Sequence, residues 1–323
     1  MSLTGTIKAL TFFFSLLTLI SLLPGFKIGS WEVEALRNFL GYLFFWHVFA
    51  CFFLPFAKPA YRRFFILTYL LQLLLVIYIG SFIYPFYFST LPENTAACKQ
   101  EVRVLFSNVK MDNEDSVRLK KVILETKPDI VGLAEMNTRW GDELGLKYLY
   151  PNSYENFRED HFGIALYSKF PFSETGVSDF GENIPPAAYK LIKINEISKL
   201  RTVLLHAIPP LHYEMLYTNR MLYRRIATKL RFVEEAVLVM GDFNATPFSD
   251  YYTNFINWTG TQSIFEGRGL RATWNANWPV LRLTLDHILF KNMFSSSAEI
   301  LGNVGSDHYP VLATFSLPAE NCS

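Results

Sequence analysis

The chain has 323 residues, of which 50% are hydrophobic and 18% charged, and its formal net charge is +1 at pH 7. This length accommodates one domain of ordinary size plus an appendage, because domains mostly run from about 50 to 250 residues. The balanced charge excludes the strongly basic composition that is typical of nucleic-acid-binding domains. The hydrophobic residues are unevenly distributed, with an apolar N-terminal part and a mixed remainder.

Three stretches near the N-terminus contain no Asp, Glu, Lys or Arg, namely residues 9–26, 38–57 and 64–92. Each is long enough to cross the roughly 30 Å hydrocarbon core of a bilayer as a helix. We predict three transmembrane helices over about 9–26, 38–57 and 64–84, the third ending near Pro85, because proline removes a backbone hydrogen bond. A cleaved signal peptide and a buried helical hairpin are the alternatives. The lack of a small-residue cleavage site and the succession of three runs disfavour both.

Basic residues beside these runs predict the orientation of the anchor, because short cytoplasmic loops are enriched in Lys and Arg. Lys58, Arg62 and Arg63 occupy the second loop, and Lys8 precedes the first run. The first loop carries fewer basic residues. We therefore expect a multi-pass membrane protein with a cytoplasmic N-terminus. Everything after the third run then lies in the periplasm or the extracellular space.

Beyond the anchor, which we assign to residues 1–97, residues 98–323 show short apolar runs separated by polar turns. Strand-like runs lie at 103–109, 129–135, 162–168, 190–194, 202–208, 236–242, 285–290 and 310–317. Helical periodicity fits residues 113–126 and 214–232. Strands interleaved with helices, together with a helix-free stretch at 162–208, indicate a mixed α/β sandwich rather than a Rossmann sheet.

Polar residues stand at the ends of several predicted strands, where side chains leave the packed core while the backbone stays rigid. They are Asn108, Glu135, His206, Asp242, Asn244 and Asp286, followed by Ser306, Asp307 and His308 just before the last strand. A single Asn or Asp at such a position is most often a cap or turn former. A set of Asp, Glu and Asn instead forms an oxygen-rich donor set that suits Mg²⁺ or Mn²⁺ and lacks the thiolates of a zinc site.

The stretch GDFN carries Asp242 and Asn244 two residues apart at the end of an apolar run. In an extended chain this spacing places both polar side chains on one face and Phe243 on the other. His206 and His308 add the side chain that is best matched to proton transfer near neutral pH. The alternative interpretation of either histidine is a buried core residue without a chemical role.

Seven motifs, in this order along the chain, resemble the endonuclease/exonuclease/phosphatase superfamily, also called DNase I-like: FSNV, GLAEMN, FGIALYSKFP, LLHAIPP, GDFNATP, LDHIL and SDHYPV. They cover about residues 101–317. The resemblance implies a four-layered α/β/β/α sandwich, here preceded by three transmembrane helices as in membrane-anchored bacterial members. It also implies a bacterial inner-membrane location and a phosphodiesterase with Mg²⁺ or Mn²⁺ as cofactor.

The resemblance also implies roles for the polar residues at the metal and phosphate. Glu135 and Asn108 match the residues that hold the divalent cation, and Asp307 completes the metal side. Asp242 matches the residue that orients or activates the attacking water. Asn244 matches the residue that hydrogen-bonds the scissile phosphate.

The histidines receive different roles from the same resemblance. His308 matches a general base or phosphate clamp whose tautomer is set by Asp286, and His206 matches a histidine that helps the leaving oxygen depart. His161 stands near a position where many relatives carry Asn or Asp, so no phosphate contact is assigned to it. His287 matches no role and is expected in the core.

These features predict a membrane-anchored phosphodiesterase that acts on a phospholipid or sphingolipid headgroup or on nucleic acid. Anchoring favours lipid headgroups, which diffuse beside the site. Residues 98–323 hold 26 Asp and Glu against 24 Lys and Arg, which mildly disfavours nucleic acid. A phosphomonoester such as an inositol phosphate is third. A catalytically inactive membrane scaffold or receptor is the alternative of another class, disfavoured because the candidate residues are chemically competent; no protein partner is inferred.

The cysteines carry one further expectation. Cys51 lies in the second apolar run and is expected to be a small buried residue. Cys98 and Cys322 flank the first and last strands, which the resemblance implies to be antiparallel neighbours. We predict a disulfide between them, which requires an oxidising compartment.

Overall fold

The computed structural model describes residues 3–23, 30–54, 62–91, 99–174 and 180–319. Its helices, in chain order, are α1 (Leu3–Ser21), α2 (Trp31–Arg37), α3 (Leu40–Phe53), α4 (Arg62–Phe88), α5 (Ser116–Thr126), α6 (Thr138–Leu144), α7 (Tyr213–Leu230) and α8 (Asp250–Thr259). Its strands are β1 (Lys99–Asn108), β2 (Ile130–Ala134), β3 (Asn152–Asn156), β4 (Ile164–Ser168), β5 (Phe172–Glu174), β6 (Ala187–Lys193), β7 (Lys199–His206), β8 (Ala236–Asp242), β9 (Gln262–Ser263), β10 (Asp286–Lys291), β11 (Phe294–Ile300) and β12 (Val311–Pro318).

The strands form two six-stranded sheets that repeat one arrangement. The first sheet has the order β11-β12-β1-β2-β4-β3, and the second has the order β5-β6-β7-β8-β10-β9. One parallel pair lies inside each sheet, β1 with β2 and β7 with β8, and the pairs on either side are antiparallel. A parallel pair needs a crossover connection, and α5 and α7 supply the two crossovers.

The core consists of three buried layers. Phe106 and Met240 belong to the layer between the facing sheets. Tyr223 and Phe255 belong to a second layer, in which α7 and α8 cover the outer face of the second sheet. Trp140 belongs to a third layer, in which α5 and α6 cover the first sheet. The order helix, sheet, sheet, helix confirms the predicted two-sheet α/β sandwich.

The structure confirms all eight predicted strands and both predicted helices of this domain, with bounds that differ by a few residues. The missed elements are the short strands β3, β5, β9 and β11 and the helices α2, α6 and α8. The four missed strands all lie at sheet edges. β3 and β11, the latter with the sequence FSSSAEI, bury few side chains. An edge strand needs little apolar content, so its periodicity is weak.

The N-terminal helices match the predicted spans only in part. One helix, over Ile66–Phe88 with mean hydropathy 2.2, is long and apolar enough to cross a membrane. α2 and α3 add a second candidate if their 61° bend belongs to one broken span, and the apolar stretch of α1, Gly5–Ser21, is shorter. Three transmembrane helices and the multi-pass topology are therefore not confirmed within the described part of the chain. Lys58 and Lys27 lie outside it.

The helix α4 continues through Pro85, so the predicted end at this proline is wrong. Pro85 cannot donate to the carbonyl four residues earlier, but only three residues of the helix follow it. The carbonyl oxygens of Pro85 and Phe86 accept hydrogen bonds from the backbone N–H of Gly267 (3.0 Å) and Gly269 (2.6 Å). Gly267 has φ +70°, and an added Cβ would lie 2.1 Å from the Ser89 carbonyl oxygen. A loop of the sandwich thus caps the apolar helix, and glycine permits the close approach.

A buried polar contact joins α2 to the loop before α8. The Arg37 guanidinium pairs with Asp250 at 2.8 Å and donates to the Phe248 carbonyl oxygen at 3.1 Å. The Asn38 side-chain oxygen accepts a hydrogen bond from the Thr246 backbone N–H at 2.7 Å. The N-terminal helices therefore contact the chain segment that directly follows the GDFN motif.

Glu34 takes part in the same contact, and its burial leads us to predict that the stability of the fold depends on pH. It is buried, and it accepts a hydrogen bond from the Ser249 hydroxyl. Burial raises the pKa of Glu34 to about 7 from the value of 4.5 for a free carboxyl. The folded state thus keeps a proton that the unfolded chain releases. The free energy of unfolding should therefore fall as the pH rises from about 5 through 7.

We expect Glu34→Gln to weaken this pH dependence and to raise the melting temperature above about pH 7, because the amide needs no proton. Thermal unfolding of the full-length protein at about pH 5 and about pH 8 measures the effect. The exposed neighbour Glu32 supplies the control variant Glu32→Gln. Equal pH slopes in Glu34→Gln and the unaltered protein would contradict the assignment.

The predicted disulfide remains a prediction, because Cys98 and Cys322 lie outside the described residues. The strands beside them do pair as expected, with β1 antiparallel to β12 and Lys99 opposite Pro318. Cys51 is a free, half-buried thiol.

Candidate active site

The candidate residues meet where the carboxyl ends of the two parallel pairs face each other. Asn108 ends β1, and Glu135 directly follows β2. His206 ends β7 opposite Asp242 at the end of β8. Asp286 begins the antiparallel strand β10 and also pairs with Asp242. Strand pairing in both sheets therefore places these side chains at one edge of the sandwich, as in other open α/β sheets.

Asn108 connects the two sheets across this edge. Its side-chain amide donates to Glu135 Oε1 at 2.9 Å and to Asp242 Oδ2 at 3.1 Å. Its side-chain oxygen accepts from the Lys110 backbone N–H at 3.0 Å, and the Met111 N–H donates to Glu135 Oε2 at 3.1 Å. These bonds hold the side chains of Asn108 and Glu135 in one orientation.

Glu135 and Asn244 both lie in the left-handed backbone region, with φ of 62° and 47°. Residues other than glycine adopt this region at a cost, and such residues concentrate at functional sites. The expectation of extended chain through GDFN is therefore wrong at Asn244. Its N–H donates to Asp242 Oδ1 and its side-chain amide to the Ala207 carbonyl oxygen, each at 2.8 Å. Phe243 is buried in the core, as the spacing predicted.

Two histidines approach Asp242 from different directions. His308 Nδ1 lies 2.8 Å from Asp286 Oδ2, which leaves Nε2 facing Asp242 Oδ2 at 3.7 Å. His206 Nε2 also lies 3.7 Å from Asp242 Oδ2. All four side chains are almost completely buried. The site therefore combines two carboxylates and two imidazoles in little solvent.

The surroundings separate the protonation states of these groups. Burial, followed by the neighbouring carboxylate of Asp286, raises the pKa of Asp242 above the usual range of an aspartate. Burial disfavours the charged form of His308, but Asp286 and Asp242 outweigh it and raise its pKa to about 10. Burial lowers the pKa of His206 to about 4. At neutral pH His308 is therefore cationic and His206 neutral, so the two can do different chemistry.

The donor set fits a hard divalent cation. Asp242, Asp286 and His308 each place a potential ligand atom within 4.8 Å of the others, and all three are buried. Glu135 joins this group through the hydrogen bonds of Asn108. Carboxylate oxygens suit Mg²⁺ or Mn²⁺. The Asn108 side-chain oxygen accepts from the Lys110 N–H, so Asn108 orients Glu135 through its amide nitrogen. A cation would also reduce the repulsion among the buried carboxylates.

Asp307 and His161 lie beside this group. The Asp307 side chain is 31% exposed, and its carboxylate lies 4.0 Å from Lys110 Nζ, which places it at the rim of the site. His161 Nδ1 lies 3.1 Å from Glu135 Oε2, a contact that the sequence did not predict. Its position directly before the strand β4 was the available signal, because strand ends carry the other site residues.

Two hydroxyl groups hold the backbone of the site, and the sequence assigned neither a role. The Ser306 hydroxyl donates to the Asn108 carbonyl oxygen at 2.9 Å and accepts from the His308 N–H at 3.0 Å. The Thr273 hydroxyl accepts from the Asp286 N–H at 2.9 Å. Nothing in the local sequence marks Thr273, because its partner lies across a long loop.

His287 occupies the core, as expected. Its ring contacts those of Phe243 and Tyr252, with centroids 5.2 and 4.4 Å away. Its Nε2 lies 2.9 Å from the Ala245 carbonyl oxygen. It therefore packs behind the GDFN motif.

Sequence comparison agrees with this geometry. The sequence model of the Endonuclease/Exonuclease/phosphatase family matches residues 105–308, from the first strand to the last candidate histidine. The chain belongs to this family. A comparison with curated proteins gives no match.

Solved structures share the fold of this family member. D. rerio TDP2 complexed with a single-strand DNA product has a TM-score of 0.57 at 18% identity, covering 67% of this chain and 99% of that chain. A family protein from Bacteroides thetaiotaomicron has a TM-score of 0.55 at 15% identity, covering 69% and 100%. The human Nocturnin catalytic domain with bound sulfate has a TM-score of 0.53 at 18% identity, covering 67% and 97%. At these identities the likeness shows the fold alone.

Proposed function

We propose that the protein is a membrane-anchored phosphodiesterase that uses Mg²⁺ or Mn²⁺ to hydrolyse a phosphodiester bond. The convergence of Asn108, Glu135, Asp242, Asp286 and His308 at facing strand ends carries this proposal. Phosphodiester hydrolysis needs neutralised phosphoryl oxygens, an oriented water and a proton for the leaving oxygen. Each candidate residue keeps a side chain that can do one of these tasks, which argues against an inactive scaffold or receptor.

The attacking water is assigned to Asp242. Its Oδ2 lies 3.7 Å from Nε2 of both His206 and His308, so a water or a phosphate oxygen beside it meets all three groups. Asp242 orients the water and accepts its proton as the water oxygen forms the new bond to phosphorus, and the leaving oxygen takes up a proton from solvent. Asn244, two residues later, hydrogen-bonds the phosphate.

The two histidines take complementary roles in this proposal. His308, held cationic by Asp286, clamps the negatively charged phosphate. His206 is neutral at pH 7, and it hydrogen-bonds the leaving oxygen as the P–O bond breaks. Two imidazoles of unlike charge thus perform different tasks beside the phosphate.

The metal side is assigned to Glu135, with help from Asn108, which orients its carboxylate, and to Asp307 at the rim. A bound divalent cation supplies positive charge to the phosphoryl oxygens. Backbone and side-chain hydrogen bonds orient the Glu135 carboxylate, which reduces the reorganisation that binding requires.

We further propose that residues 1–97 anchor the protein and that residues 98–323 form the catalytic domain. The apolar helix α4 supports the anchor, and the hydrogen bonds of Gly267 and Gly269 to its last turn hold the two parts together. The basic residues near the second loop favour a catalytic domain on the outer side of a bacterial inner membrane.

Two substrate classes follow from different observations. An anchored domain favours phospholipid or sphingolipid headgroups, which are concentrated at the membrane surface. The likeness to D. rerio TDP2 with a single-strand DNA product supports nucleic acid as the second class. A Mg²⁺-dependent hydrolysis panel of plasmid DNA, RNA, sphingomyelin and phosphoinositides, with Asp242→Ala as the blank, distinguishes them. Failure to hydrolyse any phosphodiester with Mg²⁺ or Mn²⁺ would refute the proposed function.

Glu135→Gln should first change the metal requirement, because it removes a ligand charge and keeps the shape of the side chain. We expect the metal concentration for half-maximal rate to rise by about ten- to hundredfold, the usual scale for altered metal sites. Titrations of the initial rate with Mg²⁺ and Mn²⁺ measure it. The control is Glu125→Gln, an exposed glutamate on α5. An unshifted titration curve would rule out Glu135 as a ligand.

A further inference from the structure

An apolar groove of about 440 Å³ lies between the N-terminal helices and the loops beside the candidate active site. We call it the junction groove. Its lining side chains include Tyr42 and Phe45 on α3, Ile83 and Tyr87 on α4, and Phe248 and Leu270 on the opposite wall. Aromatic and aliphatic side chains thus line both walls.

The junction groove begins next to the candidate active site. Thr246, in its wall, follows Asn244 by two residues, and Thr284, also in its wall, precedes Asp286 by two residues. Consecutive Cα atoms lie 3.8 Å apart, so the wall starts within about 8 Å of both site residues. Two short chain segments thus carry both a wall of the groove and residues of the candidate active site.

The wall of the groove also contains a cation. Arg282 lines the groove, and its guanidinium lies 5.4 Å from the ring centroid of Tyr309, which follows His308. Its Nε is buried and makes no hydrogen bond within the part of the chain that the structure describes. This donor is suited to an anionic or polar group of a ligand.

The other end of the groove continues into the exposed apolar surface of the helices. Phe45 is 70% exposed and Tyr87 is 54% exposed. Both lie on the part of α3 and α4 that faces the sandwich, and α4 contains the candidate membrane span. An aliphatic chain could pass from the bilayer into the groove without crossing water, which would favour its entry.

We propose that the junction groove binds the aliphatic chain of a lipid phosphodiester whose phosphate occupies the candidate active site. This inference rests on the proposed phosphodiesterase function and narrows its substrate to lipids. The apolar walls match a hydrocarbon chain, and Arg282 matches the polar region beside the phosphate. A nucleic acid carries a charge at every nucleotide, and the apolar walls would leave that charge unpaired.

The test uses full-length protein in phosphatidylcholine nanodiscs and two chromogenic phosphodiesters, p-nitrophenyl methyl phosphate and p-nitrophenyl octyl phosphate. Both share one leaving group, and only the octyl ester reaches into the groove. Ala272→Phe fills the groove, whereas Val280→Phe adds the same ring at an exposed position of the same loop, outside it. Each ester partitions equally into the bilayer whichever variant is present. Differences among variants in the hydrolysis of the octyl ester therefore report on the groove.

We expect Ala272→Phe to lower the octyl-to-methyl ratio of kcat/KM by about tenfold or more, because each buried methylene contributes up to about fourfold. Val280→Phe should leave the ratio unchanged. Phe45→Ala, which removes an exposed ring from the wall, should lower it by about threefold. These three results together support the groove.

If Ala272→Phe and Phe45→Ala both leave the octyl-to-methyl ratio of kcat/KM at the wild-type value, the inference about the groove is overturned. The proposed phosphodiesterase function would still stand. Faster hydrolysis of a single-stranded oligonucleotide than of the octyl ester, insensitive to Ala272→Phe, would overturn it in favour of nucleic acid. If Ala272→Phe loses activity on both esters, the Phe45→Ala variant decides. An octyl-to-methyl ratio of kcat/KM that Phe45→Ala leaves unchanged would then overturn the inference. A wild-type protein that hydrolyses neither ester nor oligonucleotide refutes the proposed function itself.

Discussion

Asp242→Asn is expected to lower kcat for phosphodiester hydrolysis by about a hundredfold or more, the usual scale for a positioned acid, base or electrostatic group. The carboxylate of Asp242 receives the Asn108 amide at 3.1 Å and faces the two histidines His206 and His308. Asparagine keeps the size of the side chain, and its one oxygen can accept from either the Asn244 N–H or the Asn108 amide. It loses the negative charge that orients a water, so the loss falls on the chemical step.

The fold of the Asp242→Asn variant should survive. The neutral amide avoids the cost of burying a charge but loses one accepted hydrogen bond, so the melting temperature should change little. Asp142→Asn, at an exposed position on α6, is the matched control for activity. Steady-state kinetics and thermal unfolding of the three proteins give the result. Turnover by Asp242→Asn within about tenfold of wild type would show that the site is misplaced.

His308→Gln is the second variant with a large expected effect. Glutamine can donate one hydrogen bond, but it cannot carry the positive charge that Asp286 and Asp242 stabilise on the imidazole. The transition state then loses a charge beside the phosphate, and we expect kcat to fall by about a hundredfold or more. Asp286→Asn keeps an acceptor for the imidazole but removes the negative charge that stabilises its protonated form, so it should also lower kcat.

The control for His308→Gln is His212→Gln, at the exposed position before α7. Both variants make the same chemical change, so a difference between them reports position. The measurement is kcat on the best substrate of the hydrolysis panel. Equal rates in the two variants would remove His308 from the mechanism. If His308→Gln lowers both kcat and the melting temperature, its kcat should be compared with that of Asp286→Asn at a temperature where both variants are folded.

The central strands were predictable because a strand buried between two layers is apolar at nearly every position, which is visible in its own sequence. β8, with the sequence AVLVMGD, is buried at every position and was predicted with the observed bounds. The edge strand β11 was missed, because it buries few residues and its Ser-rich sequence resembles a loop. Pro85 was predicted to end a helix that in fact continues, because the hydrogen bonds that complete its last turn come from Gly267 and Gly269, far along the chain.

The sequence also predicted which types of residue form the candidate active site. Asn108, Glu135 and Asp242 follow apolar strands, and the order of the motifs identified the family to which they belong. The sequence did not predict the distances and hydrogen bonds among these residues. The hydrogen bonds of Asn108 span 27 and 134 residues along the chain, and the left-handed conformations of Glu135 and Asn244 arise from their tertiary surroundings.

The sequence by itself determined the α/β class, the central strands, the family and the types of residue at the site, because periodicity and strand-end motifs are local properties. Only the tertiary structure decided which side chains meet. It placed His161 beside Glu135, put Asp307 at the rim, and formed the junction groove where Arg37 reaches a carbonyl 211 residues away. Such contacts depend on how whole layers pack, and no short stretch of sequence records that packing.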